Sequence, residues 1–323
     1  MQTTLSLIRG FLGEIGGRLA PEALTEESIY RVPFASPRMA SKKFFEIPTK
    51  PSSRMALRLF QTGRSRTFLV GEIISDNDAR SVHYACVASG VLSRVEGELT
   101  PFTRPLTAHL ILLDMNELDE DEVIERYREG IEIIDTIPDG HTYLDRRLAA
   151  IKQAERVQRE MMEEGLLALN EGREPGVIIV VDGSLAEIEG AGSMSGIIGL
   201  VPATAGIIGD GNMVLDCPFG ARTALDDVEH PPSFYMRLRD ATGMNPDFGL
   251  VRVEFGLNAE GGAPDENYAS DIANLLLAER FPVDLTDQAW DKTIFALHNA
   301  GKYIDTLIPT KDVVTTYFGR RTS

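Results

Sequence analysis

The stretch Gly176-Val-Ile-Ile-Val-Val-Asp-Gly-Ser-Leu185 decides the fold. Its five apolar, β-branched residues lie between Pro175-Gly176 and Gly183-Ser184, too short a run for a helix and without polar alternation. They read as a strand buried on both faces. In open α/β sheets the carboxyl ends of central strands are where ligands and catalytic groups collect, so Asp182, at the exit of this strand, is a candidate functional acid. An Asp-Gly pair also commonly starts an Asx turn. The strand by itself leaves both readings open.

With 323 residues the chain is long enough for one large domain or two ordinary ones. No apolar run approaches the ~20 residues of a membrane span, so no membrane association is expected. The start, Met1-Gln-Thr-Thr-Leu-Ser-Leu-Ile-Arg-Gly10, lacks the basic and apolar regions of a secretory signal. Cys86 and Cys217 are too few for a disulfide framework and read as reduced core thiols, which makes a cytoplasmic protein the expectation. The net charge of −17 repels nucleic acid at long range unless basic residues gather on one surface. Two gatherings exist. Arg58, Arg64 and Arg66 surround Gln61-Thr62-Gly63, and Arg146, Arg147, Lys152, Arg156 and Arg159 crowd one helical stretch, where i,i+4 ion pairs on a solvated face are the simpler reading.

Working outward from the central strand, residues 1–20 show apolar positions Leu5, Ile8, Leu12, Ile15 and Leu19 at helical spacing. A loop-rich stretch with Pro33, Pro37, Pro48 and Pro51 follows. Strands are expected at Ala56–Phe60, Thr67–Ile74 and Ser81–Leu92, with a turn at residues 61–66 and another at Ser75-Asp-Asn-Asp78, and again at Leu106–Leu113. Helices are expected over Glu117–Ile134 and Tyr143–Asn170. Beyond Asp182 come strands at Ile197–Val201, Ser233–Arg239 and Leu250–Phe255, then helices at Glu266–Arg280 and Ala289–Leu307, with Pro282 breaking them. Antiparallel strands, helices and then a strand ending in an acid is the order of an RNase H-like α/β core. The expected fold class is a mixed sheet flanked by helices. Residues 1–50 form an N-terminal extension and residues 51–323 the RNase H-fold domain.

No Walker loop, dinucleotide fingerprint, zinc spacing or nucleophile elbow is present. Gly190-Ala-Gly-Ser-Met-Ser-Gly196 lacks the lysine of a phosphate loop. His83, His109, His141, His230 and His298 are scattered, with His298 near Trp290 and Lys302. Carboxylates remain. Two-metal hydrolysis of a phosphodiester needs several acids converging from separate elements. Asp182 is one candidate ligand and Glu155, on the preceding helix, a second, with a solvated helix charge as its plainer role. Glu254 lies in an alternating strand, where pairing with a neighbouring arginine is expected.

Several segments, taken in order, resemble the signature blocks of NurA-like nucleases. They are Leu57–Arg66, Val82–Val91, Val177–Leu185, Gly196–Pro202, Gly220–Thr223, Ser233–Leu238 and Leu250–Glu254, within about residues 55–310. No single block is specific, and their succession carries the resemblance. It implies an RNase H/PIWI-like core, a homodimer, DNA cleavage with manganese or magnesium, and a HerA-type hexameric ATPase partner, in DNA end processing, repair or antiphage defence. It further implies Asp182 and Glu155 as catalytic metal ligands and Arg222 at a phosphate, with Arg64 and Arg66 as further candidate DNA contacts. Two departures stand out. The family's Phe-Val-Asp-Gly is matched by Phe60-Gln61-Thr62-Gly63, which has Gln61 or Thr62 where the acid belongs, and Pro202 replaces a lysine. A neutral oxygen brings no charge to a cation, so metal affinity falls unless an acid such as Glu72 or Asp216 takes over. Three expectations follow: an active nuclease, a degenerate relative that binds DNA or regulates the ATPase without cleaving, or an unrelated α/β protein.

Overall fold

The computed structural model describes residues 2–15, 17–26, 44–48, 55–75, 78–115, 127, 131–138, 140, 142–171, 173–208, 211–226, 231–258, 261–280 and 290–319. The chain begins with α1 (Gln2–Glu14), β1 (Gly17–Glu26), β2 (Phe44–Glu46), β3 (Ala56–Ser75), β4 (Asp78–Val95), β5 (Glu98–Pro101), β6 (Leu106–Leu113) and β7 (Glu132–Asp135). Helix α2 (Tyr143–Asn170) leads into β8 (Val177–Asp182) and β9 (Ile197–Pro202). Then come α3 (Gly211–Leu215), β10 (Ala221–Thr223), β11 (Ser233–Arg237), β12 (Leu250–Phe255), α4 (Glu266–Ala278), α5 (Phe295–Asp305) and α6 (Lys311–Gly319).

All twelve strands among the described residues join one mixed sheet. Its centre runs β6-β4-β3-β8-β9, with β3, β4 and β6 antiparallel neighbours, β8 parallel to β3, and β9 parallel to β8. In chain order these lie third, second, first, fourth, fifth, which is the RNase H-like α/β arrangement expected from the sequence. β12, β11, β10 and β2 extend the sheet beyond β9, and β7 extends it beyond β6. From the first fifty residues, β1 pairs with β3 and β2 with β10.

Both faces of the centre are covered. On one, Met162, Leu166 and Leu169 of α2 pack against Leu59, Ile179 and Val181. On the other, Ile272 and Leu276 of α4 and Leu297 and Ala300 of α5 pack against Phe60, Ile178 and Val180. Successive residues of β8 therefore enter opposite apolar layers, and so both parities are apolar. A capping box starts α2: Thr142 Oγ1 accepts from the Asp145 amide, and the Thr142 amide donates to Asp145 Oδ2 at 3.0 Å.

Four sequence expectations are corrected. Residues 61–66 do not turn; β3 runs unbroken from Ala56 to Ser75, paired with β4 from Leu59 onward except for an irregularity between Leu69 and Gly71. Gly63 is a place of close approach, where a Cβ would meet Gln158 and Met162 of α2 at 2.8 Å. The N-terminal helix ends at Glu14, and strand β1 begins at Gly17. The expected helix over Glu117–Ile134 gives way at its end to β7, and residues 117–126 and 128–130 lie outside the described residues. The expected helix at Ala289–Leu307 is a single turn at Trp290–Lys292 followed by α5. Pro33, Pro37, Pro51, Pro282, His141 and His230 also lie outside the described residues. Among the described residues no helix is long and apolar enough to cross a membrane.

Candidate functional site

β3 and β8 run side by side with Gln61 level with Val181, so Thr62 stands beside Asp182. Asp182 Oδ2 accepts from Thr62 Oγ1 at 2.8 Å and from Arg64 Nη1 at 2.8 Å. The same Arg64 nitrogen reaches Thr62 Oγ1 and the Gly63 carbonyl, each at 2.9 Å. Thr62 and Arg64 are two apart on one strand and so share a face, the face covered by α5, where Gly301 lies against the Arg64 guanidinium. Of Gln61 and Thr62, it is therefore Thr62 that neighbours Asp182. Gln61 faces the other way, donating from Nε2 to the Met162 carbonyl of α2 at 2.5 Å. Its buried Oε1 has no hydrogen-bond partner among the described residues.

Asp182 does not serve its own turn in this arrangement; its neighbours shape the strand exit. Gly183 has φ +124, a conformation that favours glycine. Ser184 Oγ and the Leu185 amide both donate to Glu254 Oε2, at 2.9 and 2.7 Å. Glu254 is buried in β12 and ion-paired with Arg252 at 2.5 Å, the neighbour pairing expected from the sequence. Gly199 of β9 lies beneath, since a Cβ there would come within 2.7 Å of the Gly183 carbonyl. The part Glu254 plays in holding the strand exit was missed from sequence. The signal was a carboxylate in an otherwise apolar strand.

Glu155 lies on α2, on the opposite face of the sheet from the Asp182 carboxylate. Burial raises its carboxyl pKa, with Arg159 opposing and Glu187 adding. Arg222 is 1% exposed. Its guanidinium pairs with Glu266 at 2.5 Å, donates to Ser270 Oγ and the Thr223 and Glu266 carbonyls, and stacks over Phe45 and Phe234. It stitches β10 to α4 and faces protein groups, not solvent. Arg66 donates to the Pro309 carbonyl at 3.0 Å and lies 3.7 Å from Asp305, while Arg58 pairs with Glu174 at 3.3 Å. Glu72 sits ten residues beyond Thr62 on β3, about 33 Å along an extended strand. Asp216 is exposed just after α3. His298 lies on α5, one turn before Gly301.

A divalent cation of this class needs several oxygen ligands, several of them charged. The Asp182 carboxylate is held by two donors on one oxygen, its strand neighbour Thr62 is neutral, and the sheet separates it from Glu155. Among the described residues no three histidine, cysteine or acidic side chains gather where they could hold a metal ion. The donor set around Asp182 does not fit a two-metal centre. Compared with known proteins, the chain matches no family model and no curated protein.

Proposed function

We propose that this chain is a NurA-like, RNase H-fold subunit that does not itself hydrolyse DNA and acts by regulating a HerA-type hexameric ATPase in DNA end processing or antiphage defence. One observation carries the reading: the acid at the end of the central strand is ion-paired with Arg64 and hydrogen-bonded to Thr62. The charge pattern supports it further. The three arginines of β3, Arg58, Arg64 and Arg66, each face an acid, Glu174, Asp182 or Asp305, on a chain of net charge −17. Such a surface gives weak DNA affinity of its own, so action through an ATPase that holds the DNA is the better fit.

The test incubates the purified protein with linear double-stranded and single-stranded DNA plus manganese or magnesium, alone and with a HerA-type ATPase from the same genome. The expected outcome is intact DNA in every lane and an ATP hydrolysis rate that changes when the chain is added. Cleavage that disappears in Asp182→Ala contradicts the reading and restores the alternative, metal-dependent hydrolysis by this chain at Asp182. An unchanged ATPase rate removes the regulatory role.

A further inference from the structure

We propose that Arg64 is the resident cation of the Asp182 site, seated in a gap that Gly301 leaves in α5, and that this guanidinium, beyond the lack of a second acid, keeps divalent metal ions out. Arg64 Nη1 lies 2.8 Å from Asp182 Oδ2 and 2.9 Å from both Thr62 Oγ1 and the Gly63 carbonyl. One nitrogen thus touches the three oxygens that a metal bound between β3 and β8 would draw on. A charge-assisted bond of this kind is among the stronger hydrogen bonds, and a second cation at the same oxygen meets like charge.

The seat for that guanidinium is built. A Cβ on Gly301 would collide with Arg64 Nη2. Gly301 is inside a helix, where alanine is the more favourable residue. Room for Arg64 is what glycine supplies at this point. Arg66, the next residue on the same face, is committed to Pro309 and Asp305 and does not substitute.

The inference shares the Arg64–Asp182 pair with the functional reading above. Metal binding is scored without DNA or ATPase, so each fails separately. Manganese binding, followed by the loss of the free-ion paramagnetic resonance signal, is compared in wild type, Thr62→Asp, Thr62→Asp/Arg64→Ala and Thr62→Asp/Gly301→Ala, with circular dichroism reporting the fold. Wild type and Thr62→Asp are expected not to bind, the new acid being absorbed by Arg64. Both double variants are expected to bind at least about tenfold more tightly, and a further Asp182→Ala removes that binding. The Gly301 variant keeps every charge of Thr62→Asp and favours the helix, so the test survives misfolding of the Arg64 variant. Equal manganese affinity in Thr62→Asp and the double variants overturns the proposal. So does a folded double variant that binds no better than wild type.

Discussion

A polar side chain in this protein is defined by the face of the sheet it occupies. Gln61 and Thr62 are adjacent in sequence, yet one grips α2 and the other touches Asp182. Strand alternation alone separates them. The Arg64–Asp182 pair joins residues 118 apart, and no local pattern announces a contact of that range; Asp182 was legible as a strand-end acid, its partner was not. Glu155 illustrates the opposite face. Burial lifts its carboxyl above the ordinary 4.5, so the native protein holds that proton to higher pH than the unfolded chain does. The stability that Glu155 contributes is then full below about 4.5 and is lost as pH rises through the raised value. Glu155→Gln should therefore melt at a higher temperature than wild type at pH 7. The gap should close as the pH is taken below 4.5. A gap that does not change with pH would show that the effect is not one of charge.

Among the elements, those best read from sequence are the ones whose own residues settle their state. β8 is apolar on both parities because two helix layers cover it, and α2 carries a capping box, strong helix formers and one buried stripe. β3 was misread because its middle, Gln61-Thr-Gly-Arg-Ser-Arg66, has the composition of a turn. Those residues stay extended because each finds a partner from another element, and because Gly63 admits α2 rather than bending the chain. The strand exit after Asp182 rests on the same kind of distant support. Glu254 receives Ser184 and Leu185 while paired with the buried Arg252. Removing one partner of a buried pair strands the other, so Glu254→Ala is expected to lower stability by about 3–5 kcal/mol in urea unfolding. A loss within about 1 kcal/mol, the scale of an exposed ion pair, would mean that the pair is solvated.

Over the whole molecule, the β6-β4-β3-β8-β9 core was legible from the order of strands and helices, since sequential apolar runs and one long helix allow few arrangements. The β12-β11-β10-β2 extension was only partly legible; β10 and β2 are three residues long and leave little pattern. Buried arginines also change the electrostatics. Arg146, Arg222, Arg237 and Arg239 all donate to backbone carbonyls inside the protein, which withdraws positive charge from the surface of an already acidic chain. The proposed role of Arg64 is that its guanidinium takes the place of a metal ion at the end of the central strand. Crystals soaked in manganese and measured at the manganese absorption edge test it directly. The expected result is Arg64 in density against Asp182 and no anomalous peak there; a peak bonded to the Asp182 carboxylate, with Arg64 turned away, would overturn that role.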